Sequence, residues 1–119
     1  MVKVYNNGDE FILENSSFLD LNRYMAVFFY LDAKALKETN KINYAIKVES
    51  DNKKLLAIKL EPYNLCLYGD WENLDELINY LNDNNYDLKD ILCPIEIGSH
   101  LNNYNLADYS QFFEPLILF

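Results

Sequence analysis

Tyr44, Ile46 and Val48 alternate with Ala45, Lys47 and Glu49, and further on Leu56, Ile58 and Leu60 alternate with Ala57, Lys59 and Glu61. A period of two marks a strand with one buried face. The polar run Ser50-Asp51-Asn52-Lys53 joins the two strands as an antiparallel hairpin. Pro62 cannot donate to a ladder and reads as a turn. Leu65-Cys66-Leu67-Tyr68 is a further strand, leading into Gly69-Asp70. From 71 to about 85 the pattern turns helical. Leu74, Leu77, Ile78 and Leu81 line one face, and Glu72, Asp75, Glu76 and Asn79 the other. Asp70 is the expected cap, and the cluster Asn82-Asp83-Asn84-Asn85 the expected end. Ile91-Leu92-Cys93 follows as a short strand, and Pro94 opens a short helix over 95–101 as its first residue.

Upstream, residues 2–5 read as a short strand. Asn7-Gly8-Asp9 is a turn followed by a helix cap, with Asn7 or Asp9 accepting the first free amides. Phe11, Ile12, Phe18 and Leu19 share a helical face, which Asn15-Ser16-Ser17 threatens to interrupt. Leu21, Tyr24, Met25, Phe28 and Phe29 follow the spacing of a core-facing helical stripe. Val27, Tyr30 and Leu31 carry apolar surface almost around that helix, so it is either covered on two sides or leaves a face for a partner. The elements predict one α/β (α+β) domain over residues 1–119, a mixed and mostly antiparallel sheet flanked by helices.

Charge narrows the function classes. Acids outnumber bases 19 to 10, and Arg23 is the one arginine. Affinity for nucleic acid comes from lysine and arginine, so a nucleic-acid partner is not expected. The opening MVKVYNNGDE has no basic and apolar signal pattern, and 24–31 is too short to span a bilayer. The expected setting is cytoplasmic, with Cys66 and Cys93 reduced and buried, a disulfide between them being the alternative.

Candidate chemistry is sparse. His100 is the sole histidine and has no nucleophile motif beside it, so a surface or capping role is expected. Two cysteines and one histidine fall short of a zinc site. Asp70, Glu72, Asp75 and Glu76 read as a solvated helix start complementing the positive end of the dipole. No residue set supports a catalytic assignment. Tyr63-Asn64 stands out, because a hydroxyl and an amide at a corner between strands can face a cleft. The plainer alternative is turn chemistry, with Asn64 bonded to its own backbone and Tyr63 capping the core.

Several of these segments carry a resemblance. Glu61-Pro62-Tyr63-Asn64-Leu65, Tyr68-Gly69-Asp70, Asn85-Tyr86-Asp87-Leu88 and Asp90-Ile91-Leu92-Cys93-Pro94, with Asp9-Glu10-Phe11 and Asn22 near the start, resemble the N-terminal half of two-domain bacterial GNAT-superfamily acetyltransferases. Glu61 departs from that pattern where it has a proline, and Asp90 and Cys93 where it has glycines. The resemblance implies an order of helix, helix, hairpin, strand, helix, strand, helix, strand, in a degenerate GNAT-like fold.

It also implies a parent protein that moves an acetyl group from acetyl-CoA to an amine. A working domain of that type holds the cofactor pyrophosphate on bare backbone amides after its central strand. This chain has Gly69-Asp70-Trp71-Glu72-Asn73 there. Asp70 is expected to occupy those amides. Each acid would repel a phosphate charge by roughly 2–3 kcal/mol at about 6 Å and an effective dielectric near 20, more than the roughly 0.3–1 kcal/mol the helix dipole returns. No acetyl-CoA site is therefore expected in this chain. The apolar ending, residues 115–119, reads as the joint to a C-terminal catalytic GNAT domain, the implied partner, and a homodimer through that edge stays open. Tyr63 and Asn64 would then line the acceptor pocket. The alternative is a stand-alone interaction module that uses the aromatic helix at 21–31.

Overall fold

Asp51 and Asn52 stand at φ of 54° and 63°, and this left-handed pair closes a hairpin between β2 (Tyr44–Ser50) and β3 (Lys53–Lys59). Asn and Asp tolerate such angles best after glycine, and a two-residue turn of this kind matches the strand twist. Around the hairpin, the computed structural model builds a five-stranded mixed sheet and four helices, and it describes residues 1–88 and 90–104. The apolar ending at 115–119 lies outside the described residues.

The sheet order is β1-β2-β3-β4-β5, with β1 (Val2–Val4), β4 (Leu65–Gly69) and β5 (Ile91–Leu92) completing it. The first three pairings are antiparallel, and β5 returns parallel to β4 through α3 (Leu74–Asp83). One face carries α1 (Gly8–Leu19) and α2 (Arg23–Ala35), which pack on Tyr5, Ala45, Leu56, Ile58, Cys66 and Leu92. The other carries α3 and α4 (Ile95–Leu101), over Tyr44, Ile46, Val48, Leu55, Ala57, Leu65 and Leu67.

This arrangement corrects the one-faced reading of the hairpin. From Leu55 to Lys59 every residue of β3 is buried. Alternation of size and polarity along a central strand distinguishes the two cores here, not core from solvent. Lys59 shows the consequence, being only 1% exposed. Its ammonium is hydrogen-bonded to Glu61 and lies 3.7 Å from Asp87, so the charge is buried but paired.

The helices also depart from the expected pattern. In α1, Asn7 caps by accepting from the Glu10 amide at 2.9 Å. Asn15 does not interrupt the helix, because its amide donates to the Phe11 carbonyl and the Tyr5 hydroxyl at 2.9 and 3.1 Å. In α2, Asn22 caps through the Tyr24 and Met25 amides. That start leaves Leu21 before the helix and rotates the stripe: Met25, Ala26, Phe29 and Ala33 are buried, while Leu21 and Tyr24 are 76% and 47% exposed. Pro94 precedes α4 as its cap and is not its first residue.

Two glycines permit close approaches. A Cβ on Gly8 would fall 1.8 Å from the Ala33 carbonyl oxygen of α2, and one on Gly69, whose φ is 133°, would fall 2.3 Å from the Lys54 carbonyl oxygen. Gly8→Ala should therefore cost about 3 kcal/mol or more by forcing α1 off α2, whereas Leu13→Ala on the outward side of α1 should stay within about 0.5 kcal/mol. Urea denaturation of the two variants measures both.

Candidate functional site

The chain leaves β3 at Leu60, passes a cis Glu61-Pro62 bond and re-enters the sheet at Leu65. The Tyr63 amide donates to the Leu60 carbonyl at 2.7 Å, closing the corner. Asn64 reaches beyond its own turn: its side-chain amide donates to the Asp90 carbonyl at 2.9 Å, fastening the corner to the start of β5. Tyr63 does not cap the core, since it is 61% exposed. Both residues line a cavity of about 460 Å³ between this corner and α2. Phe28, Leu31, Asp32 and Ala35 supply the α2 wall, Leu60 the corner, and Cys66 and Leu92 the floor from β4 and β5.

Asp32 is the chemically distinctive group in this cavity. It falls on the buried side of α2, three residues after Phe29, and is 8% exposed. Its carboxylate accepts a long hydrogen bond from the Cys66 thiol, 3.9 Å from sulfur to oxygen. Among the described residues, no lysine or arginine forms an ion pair with it. Burial raises its pKa to about 6, against smaller downward pulls from the Cys66 hydrogen bond and the field of Lys59. Burial, and then the neighbouring Asp32 charge, push the Cys66 thiol up as well. Cys66 is thus a thiol and not a nucleophilic thiolate at neutral pH.

Cys93 is also free, with burial pushing it up to about 12. The two cysteines belong to cores on opposite faces of the sheet, which separates them. A larger hollow of about 770 Å³ lies between Asp20 and Tyr30, but the acidic and basic side chains that line it, Asp20 and Arg23, are exposed.

The turn after β4 differs from expectation. Asp70 does not cap α3. Its carboxylate accepts from the Lys54 backbone amide at 2.9 Å, and its own amide donates to the Lys54 carbonyl at 2.8 Å. After Gly69, at φ 133°, these two bonds hold Asp70 against β3 just beyond the last paired residues of the ladder, Leu55 and Gly69. A single 3₁₀ turn, Trp71–Asn73, precedes α3. Trp71 stacks on His100 of α4 with ring centres 3.7 Å apart, and Glu72 pairs with Lys53 at 3.5 Å. The Asn73 side-chain oxygen is buried without a hydrogen-bond partner.

Sequence reasoning singled out Tyr63 and Asn64 but missed Asp32. A signal existed: positions 25, 29, 32 and 36 share one helical side, and three of the four are apolar. Among the described residues, no group of three or more His, Cys, Asp or Glu could hold a metal ion, and no helix is long and apolar enough to cross a membrane. No family model matches the chain, and no curated protein or solved structure matches it significantly.

The raised pKa of Asp32 has a definite sign in stability. An ordinary carboxyl has lost its proton by about pH 6, while Asp32 in the folded chain is then half protonated. Folding takes up protons between about pH 4 and 6, so stability falls as pH rises through that window and stays lowered above it. Asp32→Asn removes the buried charge and should gain about 1–3 kcal/mol at pH 7.5, with the gain disappearing near pH 4. Urea denaturation at the two pH values checks both halves of the expectation.

Proposed function

We propose that this chain is the N-terminal, non-catalytic half of a two-domain GNAT-type acetyltransferase. The observation that carries the reading is the order of elements after β1: two helices, a hairpin, a strand, a helix, a parallel strand and a helix. From α1 to α4 that order follows the one implied by the resemblance at residues 61–65, 68–70, 85–88 and 90–94; β1 has no counterpart in it, and its closing strand would fall outside the described residues. In this reading the parent protein transfers acetyl from acetyl-CoA to an amine, a C-terminal catalytic domain is the partner, and the Tyr63-Asn64 corner walls the acceptor pocket.

The chain itself then carries no acetyl-CoA site. Support comes from the turn after β4, where Asp70 and Glu72 put negative charge beside the 3₁₀ turn and the Trp71-His100 stack lies against it. Asp70 does not cap those amides, because its carboxylate accepts from the Lys54 backbone amide. Charge and the aromatic stack remain.

A stand-alone interaction module is the second reading, favoured by one observation. Tyr24, Val27 and Leu31 form an exposed apolar stripe along α2. The readings separate on chemistry. The full coding region should release coenzyme A from acetyl-CoA in the presence of a panel of amines, followed by a thiol reagent, while residues 1–119 alone show no release and no calorimetric binding of acetyl-CoA. Micromolar binding to residues 1–119 would contradict the account of the turn, and a full-length protein without transfer would favour the interaction module.

A further inference from the structure

We infer that the cleft between α2 and the Tyr63-Asn64 corner is an anchoring site for the cationic end of an organic ammonium ligand with an apolar body, and that Asp32 is its counter-ion. The cavity, about 460 Å³, falls within the common range for small-molecule sites. Its walls are mainly apolar, with Phe28 and Leu31 on one side and Leu92 on the floor. Such walls suit a hydrocarbon chain or ring and offer a free anion nothing.

Within them lies the carboxylate of Asp32, a residue only 8% exposed, with no lysine or arginine in an ion pair with it among the described residues. Among the described residues its side-chain hydrogen bond comes from the thiol of Cys66, a weak donor. Lys59, the buried lysine of β3, is already engaged by Glu61 and Asp87. A protonated amine entering the cleft would supply the missing charge and N–H donors, while its apolar body displaced water from Phe28, Leu31 and Leu92. A carboxylate left buried and unpaired is unfavourable for the empty chain, which is the pattern expected of a site completed by its ligand.

The inference goes beyond the acetyltransferase reading. A nitrogen held as ammonium against Asp32 has no lone pair to give, so it is an anchor and not an acyl acceptor. If the reading of the parent protein holds as well, its acceptor carries a second group at the far end of the apolar body. The cleft's affinity for an ammonium does not depend on that reading.

The test uses residues 1–119 and three probes of equal chain length, n-hexylamine, 1-hexanol and hexanoate, titrated at pH 7.5 while amide shifts are followed by NMR. Hexylammonium should bind in the millimolar range and shift the amides of Asp32, Asn64 and Cys66, with hexanol at least about tenfold weaker and hexanoate silent. Asp32→Asn should reduce hexylammonium to the hexanol level. Equal affinity for hexylammonium and hexanol in the unaltered protein would overturn the inference, as would an ammonium preference that survives Asp32→Asn. So would the absence of any shift in the cleft at tens of millimolar amine. None of these results alters the coenzyme A release that tests the parent's activity.

Discussion

Because β3 buries side chains on both of its faces, the molecule needs a helical layer on each side, and the rest of the architecture follows from supplying them. Leu55 and Ala57 point into the core under α3 and α4, and Leu56 and Ile58 into the core under α1 and α2. Each large apolar side chain taken fully from water contributes roughly 1.5–3 kcal/mol. A central strand with two such faces gives the fold a margin that a one-faced sheet of the same length lacks. The same geometry forces Lys59 inside, where Glu61 and Asp87 must neutralise it. It also separates Cys66 from Cys93.

The margin is what allows Asp32 to exist where it does. Its position on the buried side of α2 would suit a leucine or an alanine, and its neighbours at 25, 29 and 36 are a methionine, a phenylalanine and a leucine. The charge is opposed by burial and relieved only in part by a thiol and a distant lysine. Elsewhere the chain treats its carboxylates differently. Glu14 is held by Lys3, Tyr5 and Lys47 and drawn down to about 2, tying β1, α1 and β2 together. One acid is fully supported by its surroundings and the other is left waiting in a cleft. That contrast sets the cleft apart from the acidic helix start at Asp75 and Glu76.

Local pattern carried much of the fold. The hairpin was legible because Asn and Asp sit between two alternating runs, and α3 because its apolar and acidic faces are cleanly divided. What failed was whatever depended on the third dimension. Period-two alternation cannot distinguish a solvent face from a second core, so Lys59 read as exposed. The stripe on α2 was shifted because Asn22, not the preceding loop, starts the helix, which leaves Leu21 outside and Tyr24 on the surface. Asp70 looked like a cap because caps are local, but a glycine at φ 133° returned it to β3. For the site, the corner at Tyr63 and Asn64 was visible as turn chemistry facing a gap. Its counterpart across the gap was a single acid within an apolar helix, readable only by asking which side of α2 it occupies.

The cleft depends on Asp32 holding a buried charge with no ion-pair partner among the described residues. Carbon-13 detection of the Asp32 side-chain carboxyl through a pH titration of the ligand-free chain measures this most directly. A midpoint near 6 is predicted. A midpoint in the ordinary aspartate range, near about 4, would mean that the carboxylate is hydrated or paired, and would contradict both the cost assigned to it and the site built around it.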